Sequence, residues 1–142
     1  GEDVVNIGLH GYFNAAPLVA YAKEHGIRMV TLRKARELGV AQCVMNELAL
    51  LAEKVDRVYV TIDMDVLDIA VAPGVPASTP GGMSSEELFA SLLLIGKHES
   101  FRHIDFVCLD TSGDVATSAT MKTGVYAWLE FVTGRVISQR GK

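Results

Sequence analysis
The chain has 142 residues, 49% of them hydrophobic and 21% charged, with a formal net charge of −4. That is the size and composition of one globular domain able to bury a substantial core. An acid excess with no Lys or Arg run argues against a nucleic-acid surface, and no apolar stretch is long enough for a membrane span.

Val4 to Leu9 is the first predicted strand, and the chain reaches it almost at once, without a signal peptide. Such an abrupt start is what a piece of a longer protein would show. A loop follows, Leu9-His10-Gly11-Tyr12-Phe13-Asn14. Its Gly8-x-x-Gly11 pair lacks the third glycine and the acid of a dinucleotide cradle. A helix over Ala15 to His25 is closed by Gly26, and a second strand runs from Arg28 to Leu32. The next helix, Ala41 to Lys54, carries Val44, Leu48, Leu51 and Val55 at helical spacing. A third strand over Arg57 to Ile62 leads into three acids, Asp63, Asp65 and Asp68. Then comes a loop rich in turn residues, Ala72 to Gly82, and a helix over Ser85 to Lys97, opened by the capping box Ser84…Glu87. The fourth strand spans His103 to Leu109. The last helix, Thr117 to Thr133, puts Met121, Val125, Trp128 and Val132 on one stripe and stops before Gly134, leaving a polar, frayed tail from Ser138 to Lys142. Short apolar strands alternating with helices predict a parallel α/β sheet with helices on both faces.

Asp63 and Asp65 are two apart, so on an extended strand they share a face. Adjacent carboxylates repel, and a hard divalent cation offsets that directly, with oxygen ligands suiting Mg, Ca or Mn. An EF-hand does not fit, because Leu67, Asp68 and Gly74 stand where its ligand, glycine and glutamate belong. Solvated turn acids are the plain alternative. Ligands of open α/β sheets bind beyond the strands' carboxyl ends, where these acids and His10 lie. His25 and His98 read as solvated or dipole-compensating residues at helix ends, His103 opens a strand, and a satisfied loop histidine is the plain alternative for His10. Cys43 and Cys108 are far apart, in no metal or redox spacing, and read as reduced thiols of a cytoplasmic protein.

The string Thr61-Ile62-Asp63-Met64-Asp65-Val66-Leu67-Asp68, then Ala72-Pro73-Gly74, then Pro80-Gly81-Gly82-Met83-Ser84-Ser85-Glu86-Glu87-Leu88, resembles a metal-binding motif of the ureohydrolases. This family comprises arginases, agmatinases, guanidinobutyrases and formimidoylglutamases. The resemblance implies an arginase-like three-layer fold, represented in part, with residues 1–142 as the C-terminal portion of the domain. It implies two Mn²⁺ ions in the intact enzyme, with Asp63 bridging them, Asp65 holding one, and Asp68 supporting from behind. Ile69 stands where the family usually has proline, which predicts a looser loop. Cys108 stands where a glutamate would pair with a guanidinium, which alters recognition of that group; by its own chemistry it reads as an ordinary buried small hydrophobe. His10, Asn14, Cys108 and Asp110 are the candidate substrate-binding residues, and either Asp110 or Asp114 could compensate for Cys108. The Leu-His-x-x-x-Asn loop leans toward the formimidoylglutamase branch.

The implied activity is hydrolysis of a C–N bond in a small guanidino, amidine or formimino substrate. Neither Gly-Gly-Asp-His nor Asp-Ala-His-x-Asp, the family's other metal motifs, occurs in the chain. Weak metal binding and no turnover are therefore expected of the chain alone. The expected partner is a missing N-terminal half or a second copy. The competing reading is a non-catalytic piece or degenerate relative acting as an interaction module. An Asp-x-Asp enzyme of nucleotide-sugar chemistry ranks below both, for want of a phosphate-binding element.

Overall fold
A computed structural model describes residues 1–141. Among them, strands and helices alternate as β1 (Val5–Leu9), α1 (Ala16–Glu24), β2 (Arg28–Thr31), α2 (Leu32–Leu38), α3 (Val40–Ala52), β3 (Val58–Asp63), α4 (Ser85–Lys97), β4 (Phe101–Val107) and α5 (Ala119–Arg140). Short 3-10 turns, Met64–Val66 and Thr111–Gly113, follow β3 and β4. No helix of the described residues is long and apolar enough to cross a membrane.

The α/β alternation and parallel pairing follow the sequence pattern. The strands, however, form two separate ladders rather than one sheet, β1 beside β2 and β3 beside β4. Gly8 has φ +100, and a Cβ there would run into the Val66 side chain. So β1 meets the second ladder at the turn after β3, not along the β3 edge.

Helix α2 has no counterpart in the sequence reading, which ran the second strand through Leu32. Only Leu32 and Ala35, one turn apart, are buried on it, too short a stripe to register. Thr31 caps it, accepting the Lys34 amide at 3.3 Å, and Gly39 at φ +85 lets the chain break into α3. Along α3 and α4 the predicted stripes are the buried ones: Val44, Leu48 and Leu51, then Leu88, Leu92 and Ile95.

Helix α5 departs from expectation twice. Most of the predicted stripe points outward: Met121, Val125 and Trp128 are exposed and only Val132 packs partly against the core, while Thr120, Ala127, Phe131 and Gly134 are buried. A helix whose apolar residues are spread around its circumference does not reveal by period which side packs. The small residues decide it. A Cβ at Gly134 would strike the Leu93 carbonyl oxygen, and one at Gly96 the Phe131 carbonyl oxygen. Gly134 is thus the close-contact point of α4 and α5 rather than a stop, and the helix continues to Arg140 through the expected tail. Lys142 lies outside the described residues.

One face of the β3–β4 ladder packs its Val58, Ile62 and Phe101 into the core. The other face, with Tyr59, Thr61 and His103, is exposed. There the Tyr59 hydroxyl donates to the Asp105 carboxylate at 2.6 Å. Helices therefore cover only one side of this ladder among the described residues.

Candidate metal centre
Strand β3 ends at Asp63, so strand alternation does not bring Asp63 and Asp65 together. The 3-10 turn does. Met64 drops into the core, fully buried, and its two acidic neighbours are left at the surface side of the turn. Asp63 Oδ1 accepts the Asp65 amide at 3.3 Å, capping the turn. Partial burial pushes the Asp65 carboxyl up, and the charge and hydrogen bonding of Asp63 push it further. An acid pair held like this is short of positive charge. Its all-oxygen donor set fits a hard divalent cation such as manganese. It does not fill such an ion's shell: among the described residues no three His, Cys, Asp or Glu side chains converge as a metal site.

The loop after the acids is tightly built. Asp68 Oδ1 accepts the Ala70 amide at 2.9 Å and Oδ2 the Gly81 amide at 2.7 Å. These bonds to backbone amides hold its carboxyl below the usual range. The Asp68 amide in turn donates to the Met83 carbonyl at 3.0 Å. The looser loop expected from Ile69 is not found: its amide, which proline would lack, donates to the Thr79 carbonyl at 3.3 Å. Gly82 presses on the Leu67 carbonyl group, where a Cβ has no room.

Arg36 locks the far end of this loop. It donates to the Gly82 carbonyl at 2.9 Å and grips Glu87 with Nε and Nη2, at 2.8 and 2.9 Å. That guanidinium, ahead of every other cause, holds the Glu87 carboxyl down at about 2. Glu87 also closes the predicted capping box with Ser84. Sequence reasoning missed Arg36, since nothing local marks an arginine whose partner lies 51 residues away.

The four substrate-binding candidates fare differently. His10 stands against the acid turn, with Nε2 3.1 Å from the Asp65 carbonyl oxygen and Nδ1 3.2 Å from Thr79 Oγ1. Asn14 is exposed beside it and donates to the His10 carbonyl at 3.3 Å. Cys108 is exposed rather than buried as expected, because β4 ends at Val107 and the chain turns out at Cys108 with φ 60, a strained conformation for a residue with a side chain. Its thiol is pushed up to about 11, first by its hydrogen bond to the Asp63 carboxylate. So β1, β3 and β4 bring His10, Asp65, Asp63 and Cys108 together beyond their carboxyl ends. Asp110 is instead engaged in its own turn, accepting from the Ser112 amide and hydroxyl at 2.9 and 2.6 Å. Asp114 caps the start of α5, accepting the Thr120 and Met121 amides at 3.2 Å each.

Parallel strands flanked by helices, with acids gathered past the strand ends, define an α/β protein with a candidate site at its carboxyl edge. Comparison with known proteins narrows this. The chain belongs to the Arginase family, whose model matches residues 1–134. It is 34% identical over 141 residues to the formimidoylglutamase of Halalkalibacterium halodurans, spanning 99% of this chain and 44% of that protein. The crystal structure of formimidoylglutamase from Bacillus subtilis superposes with a TM-score of 0.90 at 29% identity, covering 94% of this chain and 42% of that one. The formiminoglutamase of Trypanosoma cruzi, solved with Mn²⁺, gives 0.84 at 22% identity over 92% of this chain and 42% of its own, a likeness of fold. The chain thus spans less than half the length of these relatives, which are hydrolases.

Proposed function
We propose that this chain forms the C-terminal part of a binuclear manganese hydrolase that cleaves the C–N bond of a formimino group. The observation that carries the proposal is the acid pair after β3, with the Asp65 carboxyl pushed up by burial and by Asp63. Asp63 would hold both ions and Asp65 one, while Asp68 keeps the loop in place. Bound manganese would supply hydroxide at neutral pH by lowering the pKa of water. The chain's own part is to seat that charge and orient the substrate, with Cys108 and Asn14 on the substrate side.

Cys108 favours a formimino over a guanidino substrate. A thiol offers one weak hydrogen bond where a carboxylate would make a charged bidentate pair, and a formimino group has one nitrogen fewer to satisfy. The remaining ligands would come from a segment carrying the Gly-Gly-Asp-His and Asp-Ala-His-x-Asp motifs. Association with such a segment is supported by the exposed Met121, Val125, Trp128 and Leu129 on α5, by the open face of β3–β4, and by ladder edges free to pair. Both cysteines are free thiols, which suits a reducing cytoplasm.

The test is to co-express the chain with such a segment, add Mn²⁺, and compare an N-formimino amino acid with arginine as substrate. Hydrolysis of the formimino compound is expected from the pair and none from the chain alone. Turnover by the chain alone, or a preference for arginine, would refute the reading.

A further inference from the structure
We infer that His10 is a positioning residue: it ties the end of β1 to the turn bearing Asp65 and to the loop beyond it, and so fixes where the Asp65 carboxylate stands. Because β1 and β3 share no ladder, something else must hold the two units in register. Besides the grip of Arg36 on Gly82 and Glu87 and the shared core, three contacts along one seam do so beside the acid turn. Gly8 lies against Val66, His10 bridges Asp65 and Thr79, and Gly11, at φ +72, is so close to Thr79 that a Cβ would stand 3.3 Å from its Oγ1.

For a neutral His10 ring the hydrogen-bond chemistry of the seam is fixed. The Asp65 carbonyl oxygen only accepts, so His10 Nε2 carries the hydrogen. Nδ1 is then the acceptor for the Thr79 hydroxyl. Both ring nitrogens are used inside the protein, and neither is left for a substrate or a metal. The Asn14 amide, bonded to the His10 carbonyl, steadies the loop from the other side. Within the turn itself the hydrogen bonds are long, 3.3 Å to the Asp65 amide and 3.2 Å from the Leu67 amide to the Met64 carbonyl. A turn so lightly held from within takes its geometry from outside: the Met83 amide donates to the Val66 carbonyl at 2.7 Å, and His10 holds the Asp65 carbonyl beside it.

The role of the seam in metal binding rests on the proposed function, but the seam itself does not, and the experiment separates the two. In the 142-residue chain without metal, ¹⁵N NMR in mildly alkaline buffer should show His10 as the Nε2–H tautomer. His10→Ala should speed amide exchange of Asp65 and Leu67 about five- to tenfold, the loss of one net hydrogen bond, and leave α4 and α5 unchanged. His10→Gln, whose amide reaches the Nε2 position, should restore most of the protection. Thr79→Val, which keeps the bond to Asp65, should shift the His10 Nδ1 resonance and cost less protection, and it serves if His10→Ala does not fold. Where wild type binds Mn²⁺, His10→Ala should weaken it about 10–100-fold. The Nδ1–H tautomer, unchanged exchange at the turn, or equal loosening of α4 and α5 would overturn the inference. Absence of Mn²⁺ binding in wild type and in the assembled enzyme would instead refute the metal reading and leave the seam to be judged on exchange and tautomer.

Discussion

Asp63→Asn should abolish hydrolysis in the assembled enzyme, by at least about a thousandfold, whereas Asp68→Asn should cost only about 10–100-fold. The two acids are five residues apart, and their surroundings explain the ranking. Asp63 stands at the end of β3 with its carboxylate facing Asp65 and the Cys108 thiol, the position from which one group could hold two cations. Losing it is expected to forfeit several kcal/mol of charge stabilisation, at about 1.4 kcal/mol per tenfold in rate. Asp68 spends both oxygens on the Ala70 and Gly81 amides, so its amide variant loosens the loop without removing a ligand. Rates measured at saturating Mn²⁺, with folding checked by circular dichroism, test the order. Near-normal turnover in Asp63→Asn with a collapse in Asp68→Asn would reverse the assignment of roles.

Phe101→Ala should destabilise the chain by about 3–5 kcal/mol, lowering the melting temperature by roughly 6–20 °C for a domain of this size. Phe101 is fully buried at the start of β4. His98 meets its ring edge-on at 5.2 Å between centroids, and Arg135 of α5 donates to its carbonyl oxygen. The ring therefore pins the strand whose other end sets Cys108 against Asp63. Truncation leaves a cavity between β4 and the α4–α5 pair that neighbouring backbone cannot close cheaply, since Gly96 and Gly134 already bring those helices into contact. Thermal unfolding followed by circular dichroism checks the value, and a loss under about 1 kcal/mol would mean β4 is not seated by this side chain.

Much of this was legible in the sequence because it is local. The strands announce themselves as short apolar runs, the capping box Ser84…Glu87 forms as written, and the stripes of α3 and α4 are the buried ones. The acid pair was found as well, although by an argument from strand alternation that the 3-10 turn replaces. What escaped depends on contacts between distant segments. The packing side of α5 is chosen by glycines against α4, not by its own period. The grip of Arg36 on the loop and the two-sided role of His10 follow from where α2 and β1 come to rest. The separation into two ladders is likewise encoded by no pattern within either strand.

The central claim is that Asp63 and Asp65 are part, and only part, of a two-manganese site. Calorimetric titration of the 142-residue chain with Mn²⁺ tests it most directly, first alone and then with a segment supplying the missing histidine and aspartate ligands. The account predicts a dissociation constant of about 10⁻⁴ M or weaker for the chain alone, removed by Asp63→Asn, and tight uptake of two ions once the segment is present. Two tightly bound ions per isolated chain, or no gain on adding the segment, would contradict it.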